Sequence, residues 1–113
     1  AIRNGDFDTA AAGLTQMLAR WPATGYAASA QFWLGNALYG KRDYKNATTA
    51  FRAMVKASPD HPKAPEALLA LANSQAEMKD PRSARRTIEE LVKDYPQSEA
   101  AVAGRERLAS LPR

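Results

Sequence analysis

The chain resembles itself when shifted by 37 residues, and this periodicity restricts its fold more than any other feature. Asp6, Asp43 and Asp80 align, as do Ala10, Ala47 and Ala84, and Pro22, Pro59 and Pro96. Ala27, Ala64 and Ala101 recur at the same interval, as do Leu34, Leu71 and Leu108. Leu14, Phe51 and Ile88, and Leu18, Val55 and Val92, keep apolar character. A fixed period of this length marks a stacked repeat, in which one unit cannot bury its own apolar face and neighbouring units bury it together.

Each recurring position has a physical role. The three aspartates stand where a helix begins, placed to accept an orphan backbone N–H and to face the positive end of the helix dipole. Pro81 follows Asp80 as a favoured first helical residue. The spacing Ala47, Phe51, Met54, Val55 gives an amphipathic helix, matched by Ala10, Leu14, Met17, Leu18 and by Ala84, Ile88, Leu91, Val92. The prolines at 22, 59 and 96 stop these helices. Thr24 and Ser98 serve as caps for the next ones, and Pro65 fits a first turn. Helices are therefore expected over residues 6–20, 26–40, 43–57, 63–78, 80–94 and 98–110, with no strand. The recurring alanines allow antiparallel helices to pack closely.

With 113 residues the chain is expected to be one domain, 1–113, with repeats at about 1–24 (incomplete), 25–61 and 62–98 and a terminal helix at 98–110. It begins with Ala1 rather than Met, and Ala1 to Gly5 reads as the tail of an earlier helix, so the chain is expected to be an excised or processed piece. Cysteine is absent, so there is neither a disulfide framework nor a thiolate metal site. No run of apolar residues is long enough for membrane insertion. Sixteen Lys and Arg against twelve Asp and Glu give a net charge of +4. The basic residues are scattered except for Lys79, Arg82, Arg85 and Arg86, which read as the solvated face of a helix, so no nucleic-acid partner is expected.

The middle of the chain resembles the tetratricopeptide repeat (TPR). Leu34, Gly35, Tyr44, Ala47, Phe51 and Pro59 follow that pattern in order, and the next repeat keeps Leu71, Ala84, Ile88 and Pro96. The resemblance implies an all-α, right-handed α-solenoid of about three helix pairs. The family's unit is about 34 residues, so the longer period here implies extra residues, expected in "PDHPKAP". A narrower similarity lies in Phe32, Trp33, Leu34, Gly35 and in Pro62, Lys63, Ala64, Pro65, Glu66, Ala67, Leu68. These segments resemble the C-terminal TPR domain of the Tol-Pal system accessory protein, or cell division coordinator, family. That resemblance implies a periplasmic interaction scaffold that binds TolA and coordinates outer-membrane constriction with septal peptidoglycan synthesis, with a peptidoglycan synthase as a further partner. It also implies trimerisation through an upstream coiled coil, whose heptads do not occur in this chain.

No catalytic constellation accompanies these repeats. His61 is a lone histidine between prolines and reads as a surface residue. No metal-ligand spacing or phosphate-binding loop occurs, so neither metal nor cofactor is expected and the chain does not read as an enzyme. Attention moves to "QFWLGNALY", residues 31–39, where apolar side chains occupy two arcs of one helix. Leu34, Ala37 and Leu38 are expected in the core. Ser29, Phe32, Trp33, Asn36 and Tyr39 are expected on the concave, partner-binding face, joined one repeat later by Glu66, Leu69 and Asn73. Recurring Asn36 and Asn73 can each donate to and accept from an extended peptide. A packing role for Phe32, Trp33 and Tyr39 is the competing interpretation. Rival functions are a carboxylate-clamp adaptor, disfavoured because Ser29, Trp33, Glu66 and Ala70 replace the required cations, and a scaffold for self-association or outer-membrane protein assembly.

Overall fold

The computed structural model describes the backbone of residues 4–20 and 27–111. It contains six α-helices: α1 (Asn4–Arg20), α2 (Ala27–Gly40), α3 (Tyr44–Ala57), α4 (Ala64–Glu77), α5 (Pro81–Asp94) and α6 (Glu99–Ser110). No strand occurs among the described residues. The expected helix stop at Pro22 and the expected cap at Thr24 lie outside them.

Local chemistry sets the helix ends. Asp43 accepts the Asn46 N–H, Asp80 accepts the Ser83 N–H, and Ser98 accepts the Ala101 N–H. Pro81 and Pro65 occupy first-turn positions of α5 and α4. Asp6 differs from its repeats, because α1 already begins at Asn4 and Asp6 lies inside its first turn. Both turns from an even-numbered to an odd-numbered helix have the same geometry. In the first, the Asp43 N–H donates to Leu38 O (2.8 Å) and the Arg42 N–H to Tyr39 O (3.0 Å); in the second, Asp80 donates to Gln75 O and Lys79 to Ala76 O, each at 3.0 Å. This pattern needs a left-handed residue at its corner. Arg42 (φ 68°) and Lys79 (φ 64°) supply it, although glycine would adopt the conformation without strain.

Asp80 gives a pH-dependent contribution. Hydrogen bonds from Ser83 hold its carboxyl below the usual value, with smaller help from Arg86 and Arg82. A depressed folded pKa stabilises the fold above the unfolded value of about 3.9 and is lost as pH falls through the folded one. Asp80→Ala is therefore expected to melt below the parent at neutral pH, with the gap closing on acidification. A gap that persists at the lowest pH would show that the carboxylate's charge is not its cause.

Packing follows chain order. Each helix packs on the next, α2 on α4, and α4 on α6, whereas the backbones of α1, α3 and α5 do not approach one another and α3 reaches α5 through the Arg52–Glu90 ion pair at 2.9 Å. The stack therefore curves with α2, α4 and α6 on its inner side. Ala47, Ala64, Ala67, Ala84 and Ala101 are fully buried at the helix seams, where a bulkier side chain would overpack. Ala10 departs from this pattern and is exposed, because α1 has only α2 as a neighbour and Ala11 takes the buried position. The largest fully buried side chains are Phe51, Met54, Leu68, Leu71, Ile88 and Leu91.

The segment between α3 and α4 contains His61. The Lys63 N–H donates to its Nδ1 (3.0 Å), and its Nε2 lies 3.3 Å from Ser29 Oγ. Because Nδ1 accepts, the neutral ring carries its proton on Nε2 and donates it to Ser29. The expected surface histidine is half-buried and joins this connection to α2.

Candidate functional site

The inner helices place the expected partner-binding residues in three settings. On α2, Trp33 is 53% exposed and meets Phe32 edge-on, with ring centroids 5.3 Å apart. Phe32 itself is only 5% exposed and packs edge-on against Phe51 at 6.2 Å, with Lys63 Nζ 5.5 Å above its ring. The expectation that Phe32 shares an open face with Trp33 is therefore corrected. The physical reason is Gly35, one turn along the same side of α2: a Cβ there would stand 2.6–2.8 Å from ring carbons of Phe51. Its absence lets the Phe51 ring approach the α2 backbone and draws Phe32 inward. Leu34 moves the other way and is half-buried, lining an open cleft of about 350 Å³ between α1 and α3 with Gln31, Leu38 and Thr49.

Tyr39 stands at the end of α2, half-buried, with its ring 5.2 Å from that of Tyr44 in an edge-on arrangement. Burial pushes its phenol above the ordinary value; Glu77 and Tyr44 push the same way and Arg107 opposes them. The C-terminal ends of α2, α4 and α6 therefore lie within electrostatic reach of one another. Arg107 also has a buried Nε with no hydrogen-bond partner among the described residues.

Glu66 and Leu69 come together farther along the inner face. With Pro62, Pro65, Ser98, Glu99, Ala100 and Ala103 they line an open cleft of about 530 Å³ between α4 and α6. Glu66 is exposed and pairs with Lys63 at 3.4 Å. Asn36 and Asn73 are half-buried, and neither side chain makes a hydrogen bond among the described residues, which leaves donors and acceptors available to a peptide backbone. The α6 side of the cleft is absent from the sequence expectation, yet the same 37-residue shift carries Ser29 and Glu66 to Ala103 and Trp33 to Arg107. That signal could have identified it.

Among the described residues, no group of three or more His, Cys, Asp or Glu could hold a metal ion. No described helix is long and apolar enough to cross a membrane. Stacked helix pairs, recurring caps and an inner face lined by alternate helices define a TPR-type helical-repeat solenoid, a class of protein-interaction domain. A protein-family model described as "YfiO: Outer membrane lipoprotein" matches residues 1–112, and the chain belongs to that family. No curated protein matches the chain. The family match supports the repeat class and a place in the cell envelope, and it leaves TolA unaddressed.

Proposed function

We propose that the chain is a periplasmic interaction scaffold whose inner face, formed by α2, α4 and α6, takes an extended segment of another envelope protein. The observation that carries this reading is Trp33, an aromatic left more than half exposed on the inner row of the stack. A planar apolar side chain beside unpaired carboxamides suits an extended peptide, since the ring supplies contact area and the amides satisfy backbone polar groups. The partner-binding set is then Ser29, Trp33, Asn36, Tyr39, Glu66, Leu69 and Asn73, with Phe32 supporting Trp33 from beneath.

TolA is the partner implied by the sequence resemblance, with a role in coordinating outer-membrane constriction and septal peptidoglycan synthesis. A second reading on the same face is a scaffold for self-association or outer-membrane protein assembly, which agrees with an outer-membrane lipoprotein family. Titrating the domain with TolA tests the first. Trp33→Ala is expected to weaken binding by about thirtyfold, the scale of an aromatic anchor worth about 2 kcal/mol. Parent-like affinity in this variant would remove the aromatic from the site, and no TolA binding by the parent would favour the assembly reading.

A further inference from the structure

The repeat brings together cations that are far apart in sequence. Consecutive helices run antiparallel, so the α2–α3 and α4–α5 turns lie at the same end of the stack. The effects of Glu77 and Arg107 on the Tyr39 phenol agree with this placement. Arg42 and Lys45 belong to the first turn, and Lys79, Arg82 and Arg86 to the second. All five are exposed, and none of their side chains makes an ion pair or hydrogen bond among the described residues. Three carboxylates at this end are engaged already: Asp43 and Asp80 cap helices, and Asp8 pairs with Lys41. Glu77 is exposed. Arg85 turns aside to donate to Leu111 O at 3.3 Å.

Beyond the small support that Arg82 and Arg86 give the Asp80 carboxylate, the fold gains little from these cations. Lys45 and Arg82 lie in the first turns of α3 and α5, neither of which has an acidic residue there. A helix N-terminus carries positive partial charge and disfavours a cation. Arg42 and Lys79 hold left-handed corners that glycine would fill without strain. Positive charge is thus kept in both turns at positions where it costs stability, and strain of this kind accompanies function.

We propose that this end of the solenoid is a docking surface for an anionic lipid bilayer. The five cations line none of the clefts described above. Long, unpaired side chains projecting from two turns can adapt to a plane of headgroups. Met78, 40% exposed between Glu77 and Lys79, offers an apolar contact at the same level. Membership of an outer-membrane lipoprotein family places a bilayer within reach, and the proposal is independent of what the inner face binds.

Vesicle flotation tests it. The parent is expected to bind phosphatidylglycerol-rich vesicles and not phosphatidylcholine vesicles, with weaker binding as added salt shortens the Debye length to about 8 Å near 0.15 M. Each cation near such a surface strengthens binding by roughly fivefold, so Lys45→Gln/Arg82→Gln/Arg86→Gln should lose on the order of a hundredfold. The same variant should stay folded and melt close to the parent, the small loss of support for Asp80 offset by relief at the helix N-termini. Lys56→Gln/Lys93→Gln/Arg105→Gln removes exposed cations elsewhere and should change binding little, and Lys45→Arg/Arg82→Lys/Arg86→Lys should retain it. Absence of parent binding, equal losses in the two Gln triples, or loss in the charge-retaining variant would overturn the proposal. Tighter binding to duplex DNA or polyglutamate than to the vesicles, at equal salt, would reassign the surface to a nucleic acid or an acidic protein.

Discussion

Phe51→Ala is expected to cost about 3–5 kcal/mol, enough to consume much of the stability of a single small domain. The Phe51 ring is fully buried on α3, takes the edge of Phe32, and sits against the bare backbone of Gly35. Truncation leaves a void that α2 cannot fill, since neither Gly35 nor the alanines around it have a side chain long enough. The melting temperature should fall by roughly 15–25 °C for a domain of this length. Chemical denaturation gives the free energy directly, and a loss below about 1 kcal/mol would show that the α2–α3 seam closes over the missing ring.

Phe32→Ala is the second large effect, about 3 kcal/mol or more, because Phe32 is 95% shielded and contributes to two edge-on aromatic pairs. Leu34→Ala should cost less, about 1–2 kcal/mol, since half-exposed Leu34 has less apolar area to lose. Trp33→Ala should stay within about 1 kcal/mol of the parent, the scale of one aromatic edge contact. Denaturation of the three variants under one set of conditions orders them. Phe32 as the mildest of the three would restore the partition in which Leu34 lies inward and Phe32 outward. The ordering also bears on partner binding: lost binding in Phe32→Ala reports unfolding as readily as a contact, whereas lost binding in Trp33→Ala does not.

The helices were legible because their ends are written in local chemistry. Asp43, Asp80 and Ser98 act within three residues of themselves, and Pro59 and Pro96 follow the C-caps of α3 and α5, Ser58 and Tyr95. The period then ordered the helices without any long-range information. Which side of α2 lies deepest was not legible in the same way. A helical projection gives the direction of Phe32 and Leu34 but not what stands opposite, and α2 touches α1, α3 and α4 at once. Gly35 was the available clue, and its meaning depended on Phe51, a residue of the next helix. The basic end was hidden for a related reason. Lys79, Arg82 and Arg86 form a short run in sequence, but Arg42 and Lys45 join them only when the turns stack.

Contacts limited to nearby helices also make the stack compliant. With no backbone packing among α1, α3 and α5 on the outer side, where the surface Arg52–Glu90 pair joins α3 to α5, a few degrees of rotation at each seam changes the curvature of the whole inner face and loads one ion pair rather than a packed core. Small rotations add along the array, as in a leaf spring, so the width of the groove is a soft coordinate while each seam remains stiff. An occupant that bridges α2 and α6 would load that spring, and a pull along the array would be felt at the groove as a change of shape before any helix unwound.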